Sequence, residues 1–126
     1  MSEGVEIQGL ARSLHELLIL AVLSEGLRHG YQIALEIEER SGGFFTFNHG
    51  TLYPILHHLE KEGLIDGAWE EGAGRRRRKE YSLSAPGRAR LRQRTGEWGA
   101  LWEHLSTFLG QEPEEPVRAR AAADRP

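Results

Sequence analysis

The sequence predicts a mainly α-helical fold with one small β-hairpin, and three observations carry that expectation. Apolar residues recur at helical spacing in four separate stretches. Before the last of these, "LIDGAWEEGAGRRRRKEYSLS" reads as two strands around a glycine-rich turn. The final helical stretch carries apolar residues seven apart, a seam suited to packing on another helix. In chain order the elements read helix, helix, helix, two strands, long helix. That is the winged helix-turn-helix arrangement with a C-terminal helix added.

Residues 1 to 9 show no period and are expected to fray. From 10 to 23, Leu10, Leu14, Leu17, Leu18 and Ala21 share one helical face, while Ile19, Leu20, Val22 and Leu23 make the second half apolar nearly all round. A helix apolar on every side needs cover on every side. So small a chain has little to spare, and a second subunit is the obvious supplier. Gly26 ends this helix. In "HGYQIALEIEERSGG" Ile33, Ala34 and Ile37 face inward and Gly42-Gly43 closes the segment.

The hairpin strands are expected at 65 to 71 and 76 to 83, with "GAG" at the turn. There Tyr81 and Leu83 share one face, Glu80 and Ser82 the other. Ser84 and Pro86 mark the start of the last helix, as N-cap and first-turn proline. That helix runs to about residue 109, and its apolar residues are Leu91, Trp98, Leu101, Trp102, Leu105, Phe108 and Leu109. The expected domains are a winged helix-turn-helix over 1–83, a dimerisation helix over 84–110 and a disordered tail over 111–126.

Composition narrows the class. A chain of 126 residues, 39% apolar and 28% charged, fits one small globular domain with a modest core. The absence of cysteine excludes disulfide scaffolds and thiolate chemistry. No apolar run is long enough to span a bilayer, and the N-terminus lacks the pattern of a secretion signal, so a soluble cytoplasmic protein is expected, without a membrane partner. The net charge of −3 conceals an uneven distribution. Residues 1–74 carry four basic and twelve acidic side chains, whereas residues 75–94 carry nine basic residues against Glu80 alone. A polyanion responds to that local charge.

"FNHGTLYPILHHLEKEGLI" holds the third helix. Leu52, Ile55, Leu56 and Leu59 cluster on one side, and Gly50, Pro54, His57 and Lys61 fall opposite, flanked by Tyr53 and His58. Proline is tolerated at a helix entrance, where N–H groups lack intrahelical partners. Either Thr51 caps the helix, or Asn48 does and the carbonyl of Gly50 faces the proline ring. The outward face carries no carboxylate in its first two turns. A slim, uncharged-to-basic helix tip of this kind can enter a DNA major groove, so Asn48, Gly50, Thr51, Tyr53, Pro54, His57, His58 and Lys61 are candidate contacts. Arg75, Arg76, Arg77 and Arg78 on the adjoining hairpin suit phosphate contacts that fix register.

At these residues the sequence resembles the PadR family of transcriptional regulators. The carriers are "LLILAVLSEGLRHGYQIALEIEE", "GTLYPILHHLEKEGLI" and "RRRKEYSLSAPGR" leading into a Trp-bearing helix, over about residues 12 to 109. The resemblance implies a homodimer that pairs or swaps its C-terminal helix against the N-terminal helix of the other subunit. Leu14, Leu17, Leu18, Leu91, Leu101, Leu105, Phe108 and Leu109 are then the interface candidates. It implies double-stranded palindromic operator DNA as partner, and repression relieved by a small effector. Gly50, Thr51, Leu52, Tyr53 and Pro54 match the recognition-helix motif, with Thr51 and Tyr53 as DNA contacts and Leu52 as core. Gly30 and Tyr31 match the second-helix motif, and Tyr81 the wing aromatic. The arginine density at 75–78 departs from the family's variable wing and leaves sequence choice undetermined.

Trp98 and Trp102, four apart on one helical face, either flank a pocket for a flat aromatic effector or form interface core. The six histidines do not make a metal set: His57 and His58 point about 100° apart, and His49 lies more than two turns from His57. Neither a nucleophile elbow nor a phosphate loop stands out, so no enzyme, metal or cofactor is expected. His29 is either a cap or a pH-sensitive contact. An RNA-binding or protein-adaptor module is the alternative to a DNA-binding regulator.

Overall fold

The computed structural model describes residues 4, 6–70 and 78–111. The expected hairpin turn at 72–74, the expected tail beyond 111, and Arg75, Arg76 and Arg77 lie outside these residues. The described chain forms four α-helices and a small sheet: α1 (Leu10–Leu23), β1 (Arg28–His29), α2 (Gly30–Arg40), α3 (His49–Lys61), β2 (Ile65–Trp69), β3 (Lys79–Leu83) and α4 (Ala85–Phe108). Residues expected to fray include a single 3-10 turn at Ile7–Gly9, leading into α1. The chain divides into two compact units, Met1–Arg94 and Thr95–Pro126, so the first unit takes in the opening turns of α4.

The core lies between α1, α2, α3 and the sheet. Ile19, Leu20, Val22 and Leu23 from α1 meet Ile33 and Ile37 from α2, Leu52, Leu56 and Leu59 from α3, and Leu64, Ile65 and Tyr81. Each such aliphatic side chain contributes about 1.5–3 kcal/mol on leaving water. Ala34, Ile55, Leu83 and Leu91 pack partly buried against this cluster. In α1 the core is made by 19, 20, 22 and 23. Leu14, Leu17 and Ala21 on the other face are only half-buried, and Leu18 lies at the margin of the core.

The sheet has a strand that sequence reasoning missed. β1 pairs antiparallel with β3, Arg28 opposite Tyr81 and His29 opposite Glu80, giving the order β1-β3-β2. Two residues are too few for an alternation, and their partner lies half the chain away. β2 and β3 pair from Ile65↔Leu83 to Trp69↔Lys79, and the Glu70 N–H donates to the Arg78 carbonyl at 2.8 Å, extending the ladder toward the wing.

Ser84 caps α4 as expected: its hydroxyl accepts from the Gly87 N–H at 3.0 Å and donates to the Gly63 carbonyl at 2.6 Å. At the other end Gly110 adopts φ +79 and the Gln111 N–H donates to the Ser106 carbonyl at 2.8 Å, a glycine-terminated helix stop. In the second unit Trp102, Leu105, Phe108 and Leu109 are exposed, Phe108 by 85%, while Trp98 and Leu101 are half-buried.

Candidate nucleic-acid interface

The start of α3 is resolved in favour of Asn48, whose side-chain oxygen accepts from the Thr51 N–H at 2.8 Å. Thr51 is therefore inside the helix, and Pro54 is its sixth residue. Proline has no N–H, so the carbonyl of Gly50 goes without its helical donor. Gly50 is exposed, and that oxygen can turn to water or a ligand. The leucines around this break are held by tertiary burial, Leu52 and Leu56 completely.

Away from the core, Gly50, Tyr53, Pro54, His57 and Lys61 are exposed and Thr51 is half-buried. These positions repeat at helical spacing, so they form one continuous strip along α3. His58 departs from the expected strip. The Arg12 guanidinium donates to its Nε2 at 3.0 Å, and the Glu62 carboxylate lies 3.3 Å from the same nitrogen. It thereby ties α3 to the start of α1.

The other edge of the site is the base of the wing. Arg78 is exposed. His29 has a cap role and a second one. Its backbone N–H donates to Gln32 Oε1 at 2.8 Å at the start of α2, and its ring Nε2 lies 3.1 Å from Glu70 Oε1 at the end of β2. The wing therefore leaves the sheet from a point braced by α2. Lys79 bonds Glu60 at 2.8 Å, which raises its pKa, and its ammonium sits 5.5 Å from the Trp69 ring centroid. Burial raises the Tyr81 phenol likewise, consistent with packing rather than contact with a ligand.

The basic run is narrower than its composition suggests. Arg90 and Arg94 both bind Glu16, at 3.1 and 2.7 Å, and Glu16 is only 7% exposed. With Lys79 committed to Glu60, the exposed cations among the described residues of this segment are Arg78, Arg88 and Arg92. Sequence counting could not separate them, because the acidic partners stand 19 to 78 positions away.

Three helices packed around a hairpin, with the third presenting a polar strip beside a basic strand end, define a winged helix-turn-helix protein of the DNA-binding type. The family model described as the transcriptional regulator PadR-like family matches residues 19–93, and the chain belongs to that family. It is 34% identical over 104 residues to the transcriptional regulator YqjI of Escherichia coli K12, a match covering 82% of this chain and 42% of that longer protein. A transcriptional regulator from Clostridium thermocellum superposes with a TM-score of 0.73 at 27% identity, over 79% of this chain and 96% of that one. PadR of Bacillus subtilis, solved in complex with operator DNA, gives 0.59 at 29% identity, over 64% of this chain and 44% of that one.

Proposed function

We propose that this chain is a homodimeric, sequence-specific DNA-binding regulator in the cytoplasm, a repressor released from a palindromic operator by a small planar effector. The observation that carries the reading is the strip along α3. Its polar and small residues face outward while Leu52, Leu56 and Leu59 are sealed in the core. The N-terminal half of α3 enters the major groove, where Thr51, Tyr53 and the Gly50 carbonyl meet base edges. His57 and Lys61 follow the groove wall, and Asn48 holds the helix start at the DNA surface. Arg75, Arg76, Arg77 and Arg78 bind flanking phosphates. Membership of the PadR-like family and the operator-bound Bacillus relative support DNA as the ligand.

The dimer reading draws on the uncovered apolar surface of α4, Trp102, Leu105, Phe108 and Leu109, with Leu101 and the half-buried α1 leucines Leu14 and Leu17. Leu18 and Leu91 have a share in the subunit's own core and contribute less to the interface. Two copies of α3 then address half-sites one DNA turn apart, about 34 Å. Trp98 and Trp102 supply flat indole surfaces for an effector, and an effector that favours a DNA-incompetent dimer lowers operator affinity by the coupling free energy.

Selection from random duplexes with the purified protein tests this. A recovered two-fold symmetric site, bound at least a hundredfold better than scrambled duplex or RNA of the same sequence, is the expected result. Equal binding to all three rejects it. On the selected site, alanine at Arg76 and Arg77 weakens specific and scrambled DNA alike. It also makes the slope of log K against log salt shallower by about 0.9 for each phosphate left without its arginine. Thr51→Ala or Tyr53→Phe shifts preference among sequences instead.

A further inference from the structure

Gly30 opens α2, yet nothing about its backbone calls for glycine. The left-handed φ values belong to Gly26, Gly42, Gly43, Gly63 and Gly110. Alanine is the better helix former at an ordinary helical φ. A close approach explains the residue. A Cβ on Gly30 would lie 2.8 Å from Tyr53 Cε1, 3.2 Å from the Tyr53 hydroxyl and 3.3 Å from Leu56 Cδ1. The hydroxyl-bearing edge of the Tyr53 ring thus rests directly on the backbone of α2. Gly30 is buried beneath it, while Tyr53 keeps 43% of its surface open.

We infer that Gly30 is a positioning residue for DNA sequence discrimination: its missing side chain is the seat that fixes the Tyr53 phenol and the close approach of α3 to α2. The inference rests on the proposal that α3 reads DNA. A methyl at position 30 must displace the ring by more than half an ångström, because ordinary contact begins near 3.4 Å. Leu56 is fully buried and has no room to yield, so the ring or the helix moves. Hydrogen bonds to base edges weaken steeply with such displacement, whereas phosphate contacts made by long arginines adjust. Discrimination should fall further than total affinity.

The test is a double-mutant cycle with the full chain, reading the Kd ratio of scrambled to selected duplex by fluorescence anisotropy, with thermal midpoints alongside. Gly30→Ala is expected to lower that ratio about tenfold, the scale of one side chain's hydrogen bonding to a base edge, with scrambled-duplex Kd changing less than threefold. Tyr53→Ala also lowers it. The Gly30→Ala/Tyr53→Ala double variant is expected to match Tyr53→Ala alone, because the space the ring vacates lets Leu56 Cδ1, at 3.3 Å, give the small distance the methyl still needs. A Gly30→Ala ratio within twofold of wild type, or losses that multiply in the double variant, overturns the inference while leaving the DNA reading intact. Absence of discrimination in the wild type overturns the DNA reading and this inference with it. Should Gly30→Ala alone fail to fold, recovery of folding in the double variant with the Tyr53→Ala ratio supports the seat, and failure of both refutes it.

Discussion

A methyl group at position 87 would stand 2.0 Å from the carbonyl oxygen of Leu64 and 2.7 Å from Leu83 Cδ1. Backbone cannot retreat like a flexible side chain, so Gly87→Ala is expected to cost about 1–3 kcal/mol by overpacking, seen as a lowered thermal midpoint. Gly96 meets nothing within 4 Å on adding a Cβ, and Gly96→Ala should instead stabilise by up to about 1 kcal/mol. At this scale the sequence is legible where chemistry is local. Ser84 as N-cap and the glycines closing α2 follow from propensities within a few residues. Whether Asn48 or Thr51 caps α3 is open in the sequence, because both can accept an N–H, and only the fold selects the start. The seat of Tyr53 on Gly30 is not readable there, since it joins residues 23 positions apart in two motifs that each make sense alone.

Helices are the most legible elements, because burial of one face leaves a period in the sequence. β1 leaves none. The ion-pair clamp between α1 and α4 is also hidden: Glu16 sits among leucines with nothing to mark it, and Arg90 and Arg94 read as part of the basic run. Their pairing holds the first turns of α4 on α1 within the first unit. Glu16→Ala removes the carboxylate that Arg90 and Arg94 share and is expected to cost about 1–3 kcal/mol, the range of hydrogen bonds to charged groups. Urea denaturation measures it, and a loss below about 0.5 kcal/mol, the range of exposed pairs, would show the clamp to be idle. A second ionic cluster joins Arg28 and Arg40 to Glu36, with Glu25 at the margin. The hydrogen bond from Arg28, then that from Arg40, holds the Glu36 carboxyl below its usual range. A depressed carboxyl stabilises the fold above its ordinary value of 4.5, and that contribution is lost as pH falls through the lower folded value. Burial depresses His15, beside Phe47, in the same sense, so acidification from about 6.5 downward erodes stability first there. Glu36→Gln should flatten the lower branch of a stability-versus-pH curve and His15→Gln the upper one.

For the molecule as a whole, Trp102, Leu105, Phe108 and Leu109 leave exposed apolar surface along the far half of α4, the surface that the proposed dimer would cover. On the proposed dimer, Leu105→Glu combined with Phe108→Glu is expected to yield a folded monomer by sedimentation, with affinity for the selected duplex reduced at least a hundredfold because a monomer would engage a single half-site. A variant that remains dimeric would move the interface elsewhere. No helix among the described residues is long and apolar enough to cross a membrane. The feature with the widest reach is the hydroxyl of Ser84, bonded at once to the first turn of α4 and to the carbonyl of Gly63 just past the end of α3. With the Leu64 carbonyl close against Gly87 as well, the tail of α3 and the head of α4 meet in one closely packed joint within the first unit. On the proposed reading of α3 as the helix that contacts DNA, a shift at the head of α4 would pass to the tail of α3 through this shared joint, with no flexible tether between.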